Sequence, residues 1–157
     1  MRDKFMRFFT NIAASKSRPE TEKTLLKKIG EGFKNQEFKM YLQFIVDNRT
    51  KDIVSAEALS RWVHPVDGVR PPMAYIPLFE KNGFISKLDM YVYEEVCRIK
   101  STWVGKTYEH IPVSVNMSRL HLYDRLFPET LLKIAYAYGI SPKELEIEIT
   151  ESVFIKD

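Results

Sequence analysis

From Ile53 to Thr150 the chain alternates strand and helix signals in the order strand, helix, strand, helix, strand. That rhythm is the sequence form of βαβ units, in which helices cross over to join parallel strands, so an α/β fold with a parallel sheet follows. The strand signals are Ile53 to Trp62, Pro112 to Met117 and Leu145 to Thr150, each apolar, alternating or β-branched. Between the first two, Met73 to Lys81 reads as a helix with an irregular start at Pro77 and a stop at Asn82-Gly83. Ser86 to Trp103 follows as a longer helix, with Leu88, Val92, Val96, Ile99 and Trp103 at helical spacing and Ser86-x-x-Asp89 resembling a capping box. Pro128-Glu129 opens the last helix, which runs through Leu131, Leu132, Ile134 and Ala135 to Tyr138 and is stopped by Gly139.

Upstream, Phe38 to Val46 reads as a strand ended by the turn Asp47-Asn48-Arg49-Thr50. So short a link to the Ile53 strand permits a hairpin, which leaves an antiparallel first strand open. Val63 to Pro72 reads as loop because of its prolines and Gly68. Ser17-x-x-Glu20 ahead of Leu25, Leu26, Ile29 and Phe33 suggests a capped amphipathic helix, weakened towards its end by Gly30 and Gly32. Residues 1–20 read as a flexible amino-terminal segment or linker, and 21–157 as one domain. The Phe and Lys/Arg residues of its first nine positions suit a frayed start or a weak surface-binding segment.

At 157 residues the chain is long enough for one domain with a real core. Its net charge of +3 is spread among acidic residues rather than gathered in runs, which makes no case for a nucleic acid polymer as partner. The single cysteine, Cys97, excludes an internal disulfide and any zinc ribbon, and fits a cytoplasmic setting. No stretch approaches the roughly 18 consecutive apolar residues of a membrane span.

On the Ile53 strand, Glu57, Leu59 and Arg61 share one face while Ala56, Ala58 and Trp62 share the other. A carboxylate among apolar neighbours costs several kcal/mol unless compensated, so Glu57 needs a partner or open water. The plain alternative is an edge strand with Glu57 and Arg61 both in water. Asn116 and Glu148 occupy comparable positions on the other two strands; the plain alternatives are a strand-end amide and a solvent-facing acid. Polar residues near the carboxyl ends of parallel strands gather at one rim, where active sites of α/β proteins are built. Two carboxylates and a carboxamide are hard oxygen donors, suited to Mg²⁺, Mn²⁺ or Ca²⁺ rather than Zn²⁺. His64, His110 and His121 show no metal-like spacing and read as structural or exposed.

Ordered blocks along the chain carry a resemblance. They are Tyr41-Leu42-Gln43, Glu57-Ala58-Leu59-Ser60-Arg61-Trp62, Ile76-Pro77 with Glu80 and Gly83, Val115-Asn116-Met117-Ser118, and Glu148-Ile149-Thr150-Glu151-Ser152. Together they resemble the EAL family, bacterial phosphodiesterases that cleave cyclic di-GMP. The resemblance implies a partial TIM-like (β/α) barrel, the amino-terminal half of a fold of typically about 250 residues. It implies metal ligation, by Mg²⁺ or Mn²⁺, at Glu57, Asn116 and Glu148. It further implies substrate contacts from Gln43, Leu59 and Arg61, and a loop-bracing role for Glu151.

Two local departures are Gln43-Phe44 where the family usually has Gln-Pro, and the bulky Tyr75-Ile76-Pro77-Leu78-Phe79-Glu80 block. The resemblance also stops before the family's Asp-Asp pair and its later lysine. The expectations are therefore metal-dependent hydrolysis of cyclic di-GMP to the linear dinucleotide in an intact domain, and little or no activity from this chain alone. A non-catalytic cyclic di-GMP-sensing or protein-interaction module is the alternative, with a homodimer or another subunit as an open question.

Overall fold

The computed structural model describes residues 21–150. The expected linker at 1–20, with Ser17 and Glu20, and the expected loop brace Glu151 lie outside the described residues. Helix α1 (Glu22–Lys34) is capped by Thr21, whose side chain accepts from the Thr24 N–H, so its N-cap falls later than the Ser17 box suggests. Strands β1 (Phe38–Val46) and β2 (Ile53–His64) form the antiparallel hairpin left open above, with Gln43 opposite Glu57 and Tyr41 opposite Leu59. The Asp47 carboxylate closes its turn by accepting from the Arg49 and Thr50 N–H groups at 2.7 and 2.9 Å.

The stretch expected to be loop after Trp62 is a second hairpin. Strand β2 runs on to His64 and pairs with β3 (Gly68–Arg70), and Gly68 takes φ +73°, which a residue without a Cβ adopts at no steric cost. His64 Nδ1 accepts from the Val66 and Asp67 N–H groups, which supplies partners to a turn that proline and glycine had marked only as irregular.

A single 3₁₀ turn (Pro72–Ala74) leads into the short helix α2 (Ile76–Lys81), and α3 (Ile85–Ser101) follows. The Ser86-x-x-Asp89 capping box does not form. Helix α3 starts at Ile85 from Phe84 without a side-chain cap, and Asp89 is buried inside the molecule. Strand β4 (Val113–Ser118), α4 (Phe127–Ala137) and β5 (Leu145–Thr150) follow within the described residues. The five-stranded sheet has the order β1-β2-β4-β5 with β3 on β2, and β2, β4 and β5 are parallel.

One face of the sheet is apolar and covered. Phe38, Ala56, Ala58, Trp62, Val113, Val115 and Met117 lie under α1, α2 and α3 with Leu88, Val92 and Val96. An aromatic group binds α1 and α2 to the hairpin: Phe38 stacks on Trp62 at 5.4 Å, and Tyr75 meets Phe38 and Phe79 edge-on at 5.7 Å. Gly32 lets α1 come close here, since a Cβ on it would sit 3.0 Å from Trp62 Nε1 and 3.2 Å from Glu37 Oε2. Those two atoms are themselves hydrogen-bonded at 2.9 Å.

At the opposite end of the barrel wall Lys100 is 1% exposed. Its ammonium donates to the Glu109 and Ile111 carbonyls at 2.5 and 2.9 Å and pairs with Glu144 at 2.8 Å, fixing the entries to β4 and β5 to the end of α3. No helix among the described residues is long and apolar enough to cross a membrane.

Candidate functional site

Strand alternation decides which side chains share the uncovered face. The strand registers set Gln43 of β1 beside Glu57 of β2, Glu57 beside Ser114 of β4, and Ser114 beside Glu146 of β5. Two residues further along, Asn116 lies opposite Glu148. The structure thus brings Gln43, Glu57, Leu59, Arg61, Asn116 and Glu148 to one face of one sheet, the concave side of a partial barrel.

The partner that Glu57 requires is Asn116. The carboxamide Nδ2 donates to Glu57 Oε1 at 2.9 Å. Strand β2 is also not an edge, since β1 and β4 flank it, which removes the solvated edge-strand alternative. With the Asn116 nitrogen turned to Glu57, its carbonyl oxygen remains as the donor atom for a ligand. Arg61 lies along the same strand face, and its Nη1 donates to the Ser60 carbonyl at 2.7 Å. Ser60 Oγ in turn meets the Tyr75 hydroxyl at 3.1 Å, and burial pushes the Tyr75 phenol up, so it stays protonated and able to donate.

Beside these groups lies a cleft of about 310 Å³ whose lining includes Leu59, Arg61, Glu80, Asp89, Asn116 and Ser118. It opens at the carboxyl ends of β2 and β4, the position at which α/β sheets carry ligands. Glu57, Gln43 and Glu148 are outside its lining; Gln43 and Glu148 are exposed, at the two flanks of the sheet.

The donor set fits a hard divalent cation in kind: two carboxylates, one carboxamide oxygen, and no sulfur or imidazole in the group. Ser114 Oγ, on the same face next to Glu57, is buried and has no hydrogen-bond partner. Among the described residues no three His, Cys, Asp or Glu side chains converge on one point.

Sequence reasoning missed Asp89 and His121. The Asp89 Oδ2 atom accepts from the Ser118 N–H at 2.8 Å and lies 3.1 Å from His121 Nε2. The His121 ring is buried and stacks on Phe127 at 4.3 Å. Burial raises the Asp89 carboxyl above its ordinary range, opposed by these two contacts and reinforced by the Glu80 charge. The only sequence signal was an acid on the apolar side of the α3 stripe, one residue after Leu88.

Parallel strands joined by crossover helices, with one face packed and oxygen-bearing side chains on the other, define the class: an α/β protein of barrel-like architecture. Comparison with known proteins names the family. The EAL domain family matches residues 26–157, and the chain belongs to it. It is 35% identical over 127 residues to the oxygen sensor protein DosP of Escherichia coli, covering 80% of this chain and 16% of DosP. It is 30% identical over 135 residues to a cyclic di-GMP phosphodiesterase of Pseudomonas aeruginosa, covering 85% of this chain and 23% of that protein.

Among solved structures, the PaMucR phosphodiesterase in complex with c-di-GMP superposes with a TM-score of 0.76 at 26% identity, over 85% of this chain and 54% of the other. The Xanthomonas citri FimX EAL domain, also bound to c-di-GMP, superposes with a TM-score of 0.71 at 14% identity over 83% of this chain and 50% of the other, a likeness of fold. The chain therefore spans about half of these solved chains and less than a quarter of the two curated relatives.

Proposed function

We propose that this chain supplies the amino-terminal half of a cyclic di-GMP phosphodiesterase site, with Glu57, Asn116 and Glu148 holding Mg²⁺ or Mn²⁺. The observation that carries the reading is the Asn116–Glu57 hydrogen bond, which presets a carboxylate and a carboxamide oxygen side by side on the concave face. A divalent ion bound there would supply Lewis acidity and a water of lowered pKa. The chain's own groups bind and orient. Arg61, at the cleft, offers a planar fork of N–H donors to a phosphate oxygen pair, while Leu59 packs against the ligand and Gln43 hydrogen-bonds to the nucleotide or its water. Glu151 is the proposed brace of the loop that follows β5. The cytoplasm, where a lone thiol such as Cys97 stays reduced, is the location this reading implies.

With two carboxylates and one amide, the 157-residue chain is proposed to turn over cyclic di-GMP little or not at all by itself. The alternative is a module that binds cyclic di-GMP without cleaving it. The test is incubation of the chain with cyclic di-GMP and Mn²⁺ or Mg²⁺, with chromatographic separation of the linear product. Absence of product alongside retained binding supports the account. Robust turnover abolished by Glu57→Ala would overturn the claim of inactivity.

A further inference from the structure

We infer that Asp89 is a positioning residue for the metal site: from α3 it anchors the end of β4 so that Asn116 stays aimed at Glu57. This rests on the reading of Asn116 as a ligand. A carboxylate only 6% exposed must be compensated within the protein. Neither compensating contact is on its own helix. The Ser118 N–H is two residues past Asn116, at the last residue of β4, and His121 lies in the 3₁₀ turn (Arg119–Tyr123) that follows.

Ser118 also caps that turn, its Oγ accepting from the Leu120 N–H at 3.3 Å. Through the His121–Phe127 stack the same pair reaches the first residue of α4. One buried oxygen thus ties α3 to the segment between the ligand strand and its following helix. Strand β4 pairs with β2 only as far as Val115, so no β2 residue lies opposite Asn116, Met117 or Ser118, and the strand end is flanked by β5 alone within the sheet. The Asp89 contact at Ser118 holds that end from the side of α3. Polar groups behind a metal ligand that fix its orientation commonly control affinity about 10-fold to 100-fold when removed.

Both contacts end on the same oxygen, Oδ2, which gives the test its form. A carboxamide with its carbonyl in that place accepts both, so Asp89→Asn is the conservative rescue, whereas Asp89→Leu accepts neither. The first readout is the side-chain amide resonance of Asn116 in the metal-free, full 157-residue chain, where its hydrogen bond to Glu57 sets it apart from solvated amides. Asp89→Leu is expected to move it to the solvated position while the core methyl signals stay, and Asp89→Asn to restore it.

The second readout is Mn²⁺ affinity, expected to fall about 10-fold or more in Asp89→Leu and to be regained in Asp89→Asn. Should Asp89→Leu not fold, His121→Leu removes one of the two contacts and is expected to give a smaller displacement in the same direction. An Asn116 resonance unchanged in the folded Asp89→Leu variant, or in His121→Leu where that serves instead, would overturn the inference. If the parent chain and Glu57→Ala bind Mn²⁺ equally poorly, the ligand reading fails instead, and the resonance still decides what Asp89 does.

Discussion

Glu57 shows how one side chain sets the character of a face. It sits between apolar neighbours in sequence, yet register gives it Gln43 on one side and Ser114 on the other, and Asn116 reaches across to hold it. Ser114 is the counterweight: a buried hydroxyl with no partner, which leaves the protein bearing a desolvation cost of about 1–3 kcal/mol. In the ligand-free chain Ser114→Ala should therefore be neutral or raise stability by up to about 1 kcal/mol, measured by urea unfolding. A loss above about 2 kcal/mol would mean that the hydroxyl has a strong partner in solution. The positions of Glu57, Asn116 and Glu148 were legible, because strand parity is a property of the sequence and the family resemblance supplied their grouping. The role of Asp89 was not. Next to Ser86 it reads as a local cap, and only the tertiary approach of β4 shows that its oxygen is used elsewhere.

At the scale of elements, two attachments hold α1 against the hairpins. The first is the close approach at Gly32 over Trp62 and Glu37. Gly32→Ala would gain helix propensity but force a methyl against those atoms, and a net loss of about 1–3 kcal/mol is expected in chemical denaturation. The second is Asp67 in the β2–β3 turn, which meets Lys28 of α1 at 2.9 Å and Arg70 of β3. These hydrogen bonds, Lys28 first, lower the Asp67 carboxyl to about 2. Its folded pKa is thus below the unfolded value, so the stabilisation is present above about pH 4 and is lost as pH falls towards 2. Asp67→Asn should lower the melting temperature at neutral pH and flatten its fall over that acid window. A variant that parallels the parent there would show that Asp67 is not anchored by its cations. This hairpin was hidden in the sequence because Pro65, Gly68 and Pro71 signal irregularity, while the pairing depends on His64 Nδ1 and Asp67, whose partners are nonlocal or backbone.

Over the whole molecule, the alternation of strands and helices was legible from Ile53 onward because crossover helices and buried strands leave different periodicities. The result is a sheet with one face packed under helices and the other lined by Gln43, Glu57, Leu59, Arg61, Asn116 and Glu148, beside a cleft at its carboxyl rim. Membership of the EAL family and the likeness to a c-di-GMP-bound phosphodiesterase agree with that arrangement. The most direct test of the central claim is a calorimetric titration of cyclic di-GMP into the chain in the presence and absence of Mn²⁺. One-site binding is expected that requires Mn²⁺, weakens at least about 10-fold in Arg61→Ala and is lost in Glu57→Ala. Binding of equal strength in Glu57→Ala, or indifferent to Mn²⁺, would contradict it.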